Sequence, residues 1–153
     1  MLKHLSPRKT AMMIGLVALT TIIGAWIFEH YGYAPCELCL QQRWSYYGGV
    51  PFAFILAGWN PPWLRTGLIV MALLWLASGI FGVYHSGVEW GWWQGPTACS
   101  GGGELGFGEG LPDLTKTAVK CNEAAIRILG LSLAGWNAVI SFMLAGLAAR
   151  ASR

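Results

Sequence analysis

Four stretches of this chain, 10–28, 44–64, 66–88 and 128–149, contain no Asp, Glu, Lys or Arg. A segment crossing the roughly 30 Å hydrocarbon core of a bilayer must satisfy its backbone polar groups internally, and about 20 apolar helical residues do this. Each run is long enough, so the fold expected is an all-α membrane protein: one integral membrane domain over 1–153, built as a four-transmembrane-helix bundle with two external loops. The second run is the least regular. Gly48, Gly49 and Pro51 interrupt it and Asn60-Pro61-Pro62 ends it early, leaving an apolar part of about 16 residues. A content of 55% hydrophobic and 11% charged residues lies outside the balance of a soluble domain and agrees with this class. Lys3, Arg8 and Lys9 ahead of the first run also suit a cleaved signal peptide. Its apolar region is longer than the usual 7–15 residues and no small-x-small site follows, so it is expected to stay in the mature protein.

Basic residues mark the cytoplasmic flanks of membrane helices. Lys3, Arg8, Lys9, Arg65, Arg150 and Arg153 lie at the termini or between the second and third runs, with no acidic residue among them. Glu29, Glu37, Glu89, Glu104, Glu109, Asp113 and Glu123 lie in or beside the other two connections. Both termini are therefore expected in the cytoplasm and the connections 29–42 and 89–127 outside it. The net charge of +3 reports this topology, and no basic patch calls for nucleic acid. Tyr31, Tyr33, Trp44, Tyr46, Tyr47, Tyr84, Trp90, Trp92 and Trp93 gather near the outer boundary, where amphipathic rings anchor at headgroup level. The Gly-rich stretch 100–110 has too little apolar content to pack alone, and 113–120 is expected to form a short surface helix.

All four cysteines fall in the external connections: Cys36 and Cys39 in the first, Cys99 and Cys121 in the second. Outside the bacterial cytoplasm disulfides form and persist. Pro35-Cys36-Glu37-Leu38-Cys39 sets two sulfurs on one face at the start of a helix, whose N-terminus favours a thiolate. Arg43 stands one turn further along that face; its permanent charge supports the thiolate and its fork of donors suits the carbonyl oxygen of an apolar electron acceptor. A Cys-x-x-Cys alone serves redox chemistry or metal binding, and the four cysteines with His85 have the donor types of a zinc site. Cys99 and Cys121 lack the short spacing of paired zinc ligands, and one of them adjoins the glycines, which suits an exposed reactive segment better than a rigid ligand. A Cys99–Cys121 disulfide would enclose 21 residues, either as a staple or as a bond open to thiol exchange with another protein. His85 lies at the outer end of the third run. Glu29 and His30 read as solvated end residues and receive no role.

Over nearly its whole length the chain resembles the DsbB family of disulfide bond formation proteins. The resemblance rests on Cys36-x-x-Cys39-x-x-x-Arg43 at the start of the second of four spans, on His85 fourteen residues before Cys99, and on Cys121-Asn122-Glu123 leading through Leu129-Gly130-Leu131 to Trp136. Tyr84-His85-Ser86-Gly87-Val88-Glu89-Trp90 and Gly95-Pro96 are similar to the alphaproteobacterial branch. Membrane relatives of vitamin K epoxide reductase differ in order, with loop cysteines before the Cys-x-x-Cys. The resemblance implies a protein-disulfide:quinone oxidoreductase of the bacterial inner membrane, and nothing in the sequence calls for more than a monomer. A DsbA-like periplasmic thiol oxidase would attack a Cys99–Cys121 disulfide at Cys99. Cys121 would then reduce a Cys36–Cys39 disulfide, and Cys39 would pass electrons to quinone, ubiquinone ahead of menaquinone. Arg43 and His85 are the residues similar to those placed near the quinone. The glycines of 100–110 depart from the family pattern. The alternative reading from the residues is a membrane metal-binding or sensor protein using the four external cysteines.

Overall fold

A computed structural model describes residues 6–59, 61–96, 99 and 121–153. Among them run four helices, α1 (Pro7–His30), α2 (Glu37–Trp59), α3 (Leu64–Glu89) and α4 (Leu133–Ala151). A two-stranded hairpin, β1 (Arg127–Ile128) and β2 (Leu131–Ser132), leads into α4. Helices α1, α3 and α4 are long and apolar enough to cross a membrane. The fourth, α2, has 23 residues but a polar first turn and an internal Pro51, which removes one helix hydrogen bond.

Each helix separates an inward from an outward stripe. In α1, Ala11, Ile14, Ala18 and Ile22 are buried, whereas Leu16, Ile23, Trp26 and Ile27 are exposed. In α3, Leu68, Met71 and Trp75 face inward while Val70, Leu73, Ile80 and Val83 face out. Both stripes keep the i, i+3/i+4 spacing of one helical face. Large apolar side chains exposed along whole helices are costly in water and ordinary in hydrocarbon. With small inward residues, helix backbones approach closely. A Cβ at Gly82 would stand 2.9 Å from the backbone nitrogen of Ala138 and 3.0 Å from its Cα, so α3 and α4 meet there with no room for a side chain.

The core is polar at chosen points. Tyr46 of α2 donates to Asn137 Oδ1 of α4 at 2.6 Å, and its ring meets the edge of Trp75 at 5.0 Å. Ser141 Oγ lies 3.1 Å from Ser78 Oγ across the α3–α4 seam. At the other end of the bundle Arg8 donates to the carbonyls of Ala57 and Gly58, which close α2 without helical partners.

Helix α2 begins at Glu37, directly after Cys36, where the Cys-x-x-Cys spacing puts a helix start; its first turns are polar and lie ahead of the uncharged run 44–64. One sequence expectation changes. The run 128–149 is not helical from its start. Leu129 (φ 53°) and Gly130 (φ 84°) make a two-residue turn with both central φ positive, the form that matches strand twist in a tight hairpin. Ser132 then caps α4 by accepting from the Gly135 N–H at 3.1 Å, and Trp136 Nε1 donates to the Ile128 carbonyl at 2.9 Å, fixing the hairpin to the helix. The helix expected at 113–120 and the glycine stretch 100–110 lie outside the described residues.

Candidate active site

Cys36 immediately precedes α2. Its carbonyl accepts from Leu40 N–H at 3.1 Å and its Sγ accepts from Cys39 N–H at 3.3 Å, so the sulfur takes the place of an N-cap oxygen. The Cys39 Sγ lies 2.8 Å away and His85 Nε2 3.4 Å away, with both cysteines free. The Cys36 thiol is pulled well below the ordinary thiol range. The hydrogen bond from Cys39 to the thiolate is the largest cause; burial opposes it and His85 adds to it. A thiolate donor for exchange is the chemistry this arrangement favours.

Cys39 turns its other side to a cavity of about 340 Å³ between α1, α2 and α4. Its wall is mainly apolar, including Phe28, Trp136 and Ile140, with Cys39, Gln42, Arg43 and Asn137 as its chemically active members. The volume suits a small ring system, and few polar groups in an apolar wall are what orient such a ligand. Gln42 Nε2 and Asn137 Nδ2 are buried with no hydrogen-bond partner among the described residues. Buried donors without partners are rare enough to ask for an acceptor. Arg43 is held at this wall by Glu29, whose Oε2 lies 2.6 Å from Nη1.

Cys99 and Cys121 are joined in a disulfide with Cα atoms 5.0 Å apart. Both are buried, so the Cys99 side chain itself is not exposed as its place beside the glycines led one to expect, while the glycines lie outside the described residues. They pack in one cluster with Cys36, Leu38 and Val88, with Cys39 at its margin, so the two cysteine pairs share a single packed unit. A second cavity of about 620 Å³, walled by Trp92, Trp93, Gln94, Pro96 and Asn122, reaches Cys99 but not Cys121. Its tryptophan wall depends on Gly87: a Cβ there would lie 2.1 Å from the Trp93 ring, which donates Nε1–H to the Tyr84 carbonyl at 2.8 Å. With Cys99 and Cys121 bonded to each other, the four-cysteine metal site of the alternative reading is not formed.

His85 is buried against Cys36 and does not line the cavity of Cys39 and Arg43. Its Nε2 is also 3.8 Å from Oε1 of Glu89, one turn further along α3. The sequence reading missed Glu89, Gln42 and Asn137, and left Glu29 without a role. Asn137 carried a usable signal as an amide within a charge-free run, where polar side chains are costly unless used. Glu89 carried the i, i+4 spacing from His85.

Similarity to known proteins agrees with this geometry. The family model described as "Disulfide bond formation protein DsbB" matches residues 7–151. A "Disulfide bond formation protein B" of Pseudomonas syringae is 30% identical over 149 residues, covering 92% of this chain and 85% of that protein. A protein of the same name from Albidiferax ferrireducens is 28% identical, covering 88% and 81%. An uncharacterized Rickettsia prowazekii protein is 29% identical, covering 86% and 77%. No solved structure gives a significant match.

Proposed function

This chain belongs to the DsbB family of membrane disulfide bond formation proteins, and on that premise we propose that it is a protein-disulfide:quinone oxidoreductase. The observation that carries the reading is the position of the Cys36–Cys39 pair. One side packs with the Cys99–Cys121 disulfide and the other opens, through Cys39, on an apolar cavity that holds Arg43.

In this reading a thiolate of a reduced DsbA-like oxidase attacks Cys99 Sγ, and the Cys99–Cys121 bond breaks with Cys121 leaving as thiolate. The partner's second thiol resolves the mixed disulfide, so the partner gains a disulfide and Cys99 and Cys121 become a dithiol. That dithiol exchanges with an oxidised Cys36–Cys39 pair: Cys121 attacks Cys36, Cys39 leaves as the thiolate beside the cavity, and Cys99 resolves the transient Cys36–Cys121 bond. In the resulting dithiol the helix N-terminus, Cys39 and His85 favour the thiolate at Cys36. Quinone, ubiquinone ahead of menaquinone, supplies the acceptor that takes two electrons and two protons as Cys36 and Cys39 return to the disulfide. Arg43, Gln42 and Asn137 offer it donors, and the apolar wall excludes water. His85, beside Cys36, serves the thiol side of the reaction.

The same reading makes α2 the fourth spanning helix. It puts the cysteines on the periplasmic face of the bacterial inner membrane and both termini in the cytoplasm, with a monomer as the working unit. The basic residues at the two ends of the chain and at Arg65 support the orientation. The test is oxidation of a reduced DsbA-like protein by the purified chain in detergent, with quinone as the only acceptor. Turnover in wild type and its loss in Cys39→Ala are expected. Absence of quinone-dependent turnover in wild type with any such partner refutes the proposal.

A further inference from the structure

Cys36 Sγ, Cys39 Sγ and His85 Nε2 all lie within 4.8 Å of one another, and Glu89 Oε1 is 3.8 Å from that nitrogen. The Glu89 side chain is 5% exposed, and its other oxygen, Oε2, is buried without a hydrogen-bond partner among the described residues. Beside this cluster is a cavity of about 30 Å³ whose walls include Cys36, Cys39, Glu89 and the exposed Glu123. A space of this size accepts one water or a bare ion. We propose that, in its reduced state, the Cys36–Cys39 pair forms with His85 and Glu89 a binding site for a thiophilic divalent cation of the zinc class.

The donor set selects the ion. Two thiolates, an imidazole and a carboxylate make a four-coordinate set for Zn²⁺, whereas Mg²⁺ and Ca²⁺ require oxygen donors. Zinc bond lengths set tetrahedral edges of about 3.8 Å for S···S, about 3.5 Å for S···N and about 3.4 Å for N···O. The structure gives 2.8 Å between the sulfurs, 3.4 Å from Cys36 to His85 and 3.8 Å from His85 to Glu89. Of the six edges, Cys36–His85 and His85–Glu89 are already near their values, and the S···S edge opens by about 1 Å when one cysteine side chain rotates. The Glu89 carboxylate, outside the group of donors that lie within 4.8 Å of one another, swings in from its place beside His85 to complete the set. Cation binding sends the remaining thiol protons to solvent and leaves both sulfurs reduced. A Cys36–Cys39 disulfide has no thiolate to offer, so the site exists in one redox state only. The cation-bound pair cannot close a disulfide, which makes the site inhibitory. That consequence, though not the site, rests on the proposed redox function.

Co²⁺ is the spectroscopic probe, added anaerobically to the reduced full-length chain in detergent. A Cys99→Ser, Cys121→Ser background leaves one pair of thiols. One Co²⁺ per chain with thiolate charge-transfer absorption is expected, displaced by Zn²⁺ and absent once Cys36 and Cys39 are oxidised. Glu89→Gln, which keeps the side chain's shape, and His85→Ala should each weaken binding by about tenfold or more. Either no charge-transfer absorption in the reduced chain, or variants that bind as tightly as their parent, overturns the proposal; in the second case a bare dithiol holds the ion. The oxidised–reduced comparison needs no substitution at the site and is independent of folding in the variants. Metal-free turnover of the wild type separates the two readings. A chain that turns over without binding Co²⁺ loses only the cation site, and one that binds Co²⁺ without turnover loses only the redox function.

Discussion

Removal of the Arg43 guanidinium should raise the quinone KM far more than removal of the carboxylate that holds it. Arg43 is 11% exposed at the cavity wall, so in the proposed function a hydrogen bond from it to a quinone oxygen would form largely out of water. Such charged hydrogen bonds contribute about 1.5–3 kcal/mol, which at about 1.4 kcal/mol per tenfold predicts a rise of about 10- to 150-fold in Arg43→Ala. Glu29 is 43% exposed and makes a single 2.6 Å contact, a pair worth about 0.2–1 kcal/mol after solvent screening. Glu29→Gln should therefore raise KM by no more than about fivefold, and less at high salt. In the double variant Glu29→Gln should add nothing, since its effect passes through the arginine. Arg43→Lys should fall between, with charge retained but no fork. The assay is initial-rate oxidation of reduced partner at saturating partner and varied quinone, with kcat and KM separated. An Arg43→Ala KM within about threefold of wild type refutes the placement of quinone beside Arg43. Additive effects of the two substitutions refute the positioning role of Glu29.

Alkylation of reduced Cys36 should remain fast as pH falls from about 8 to about 6, because its lowered pKa keeps the thiolate populated below the ordinary thiol range. Cys39→Ala should move the midpoint upward by more than His85→Ala does, since the Cys39 hydrogen bond is the larger cause; the reverse order, read by mass spectrometry of iodoacetamide adducts, contradicts that ranking. Joint Cys99→Ser and Cys121→Ser substitution should abolish oxidation of the partner while Cys36 and Cys39 remain oxidisable by quinone in a single-turnover thiol count. Retained partner turnover would show that the second pair is not in the path. Gly82→Ala should cost about 1–3 kcal/mol, because its Cβ would meet the Ala138 backbone and not a flexible side-chain end. Gly146→Ala, with nothing within 4 Å, should be neutral or slightly stabilising; equal unfolding midpoints for the two in mixed micelles would refute the close α3–α4 approach.

The helices were legible in the sequence because a membrane demands long apolar runs, but that demand does not mark helix ends. The polar stretch from Glu37 to Arg43 is invisible to a search for uncharged residues and is legible instead from the Cys-x-x-Cys spacing at a helix start, which brings Cys39 and Arg43 to one cavity wall. At 128–132 every residue is compatible with a span, and the decisive feature is local: Gly130 beside Leu129, both with positive φ, turns the chain before Ser132 caps α4.

The site divides along the same line. Spacing within one helix carries over directly, so Cys36, Cys39 and Arg43 on a common face required only helical geometry. Contacts between helices do not carry over, because they depend on how α1 and α3 rotate against α2. Glu29 has the composition of a solvated helix end, yet its carboxylate reaches an arginine fourteen residues away. His85 stands at the expected height but faces Cys36, with Glu89 behind it. This separates two environments around one cysteine pair. Cys39 meets an apolar cavity with unpaired amide donors, whereas Cys36 meets a buried imidazole and carboxylate beside a water-sized space. In the proposed readings a ring acceptor belongs to the first environment and a cation to the second, and the two compete for the same reduced pair of sulfurs. Substitutions at Arg43 and at Glu89 should therefore separate acceptor affinity from cation affinity.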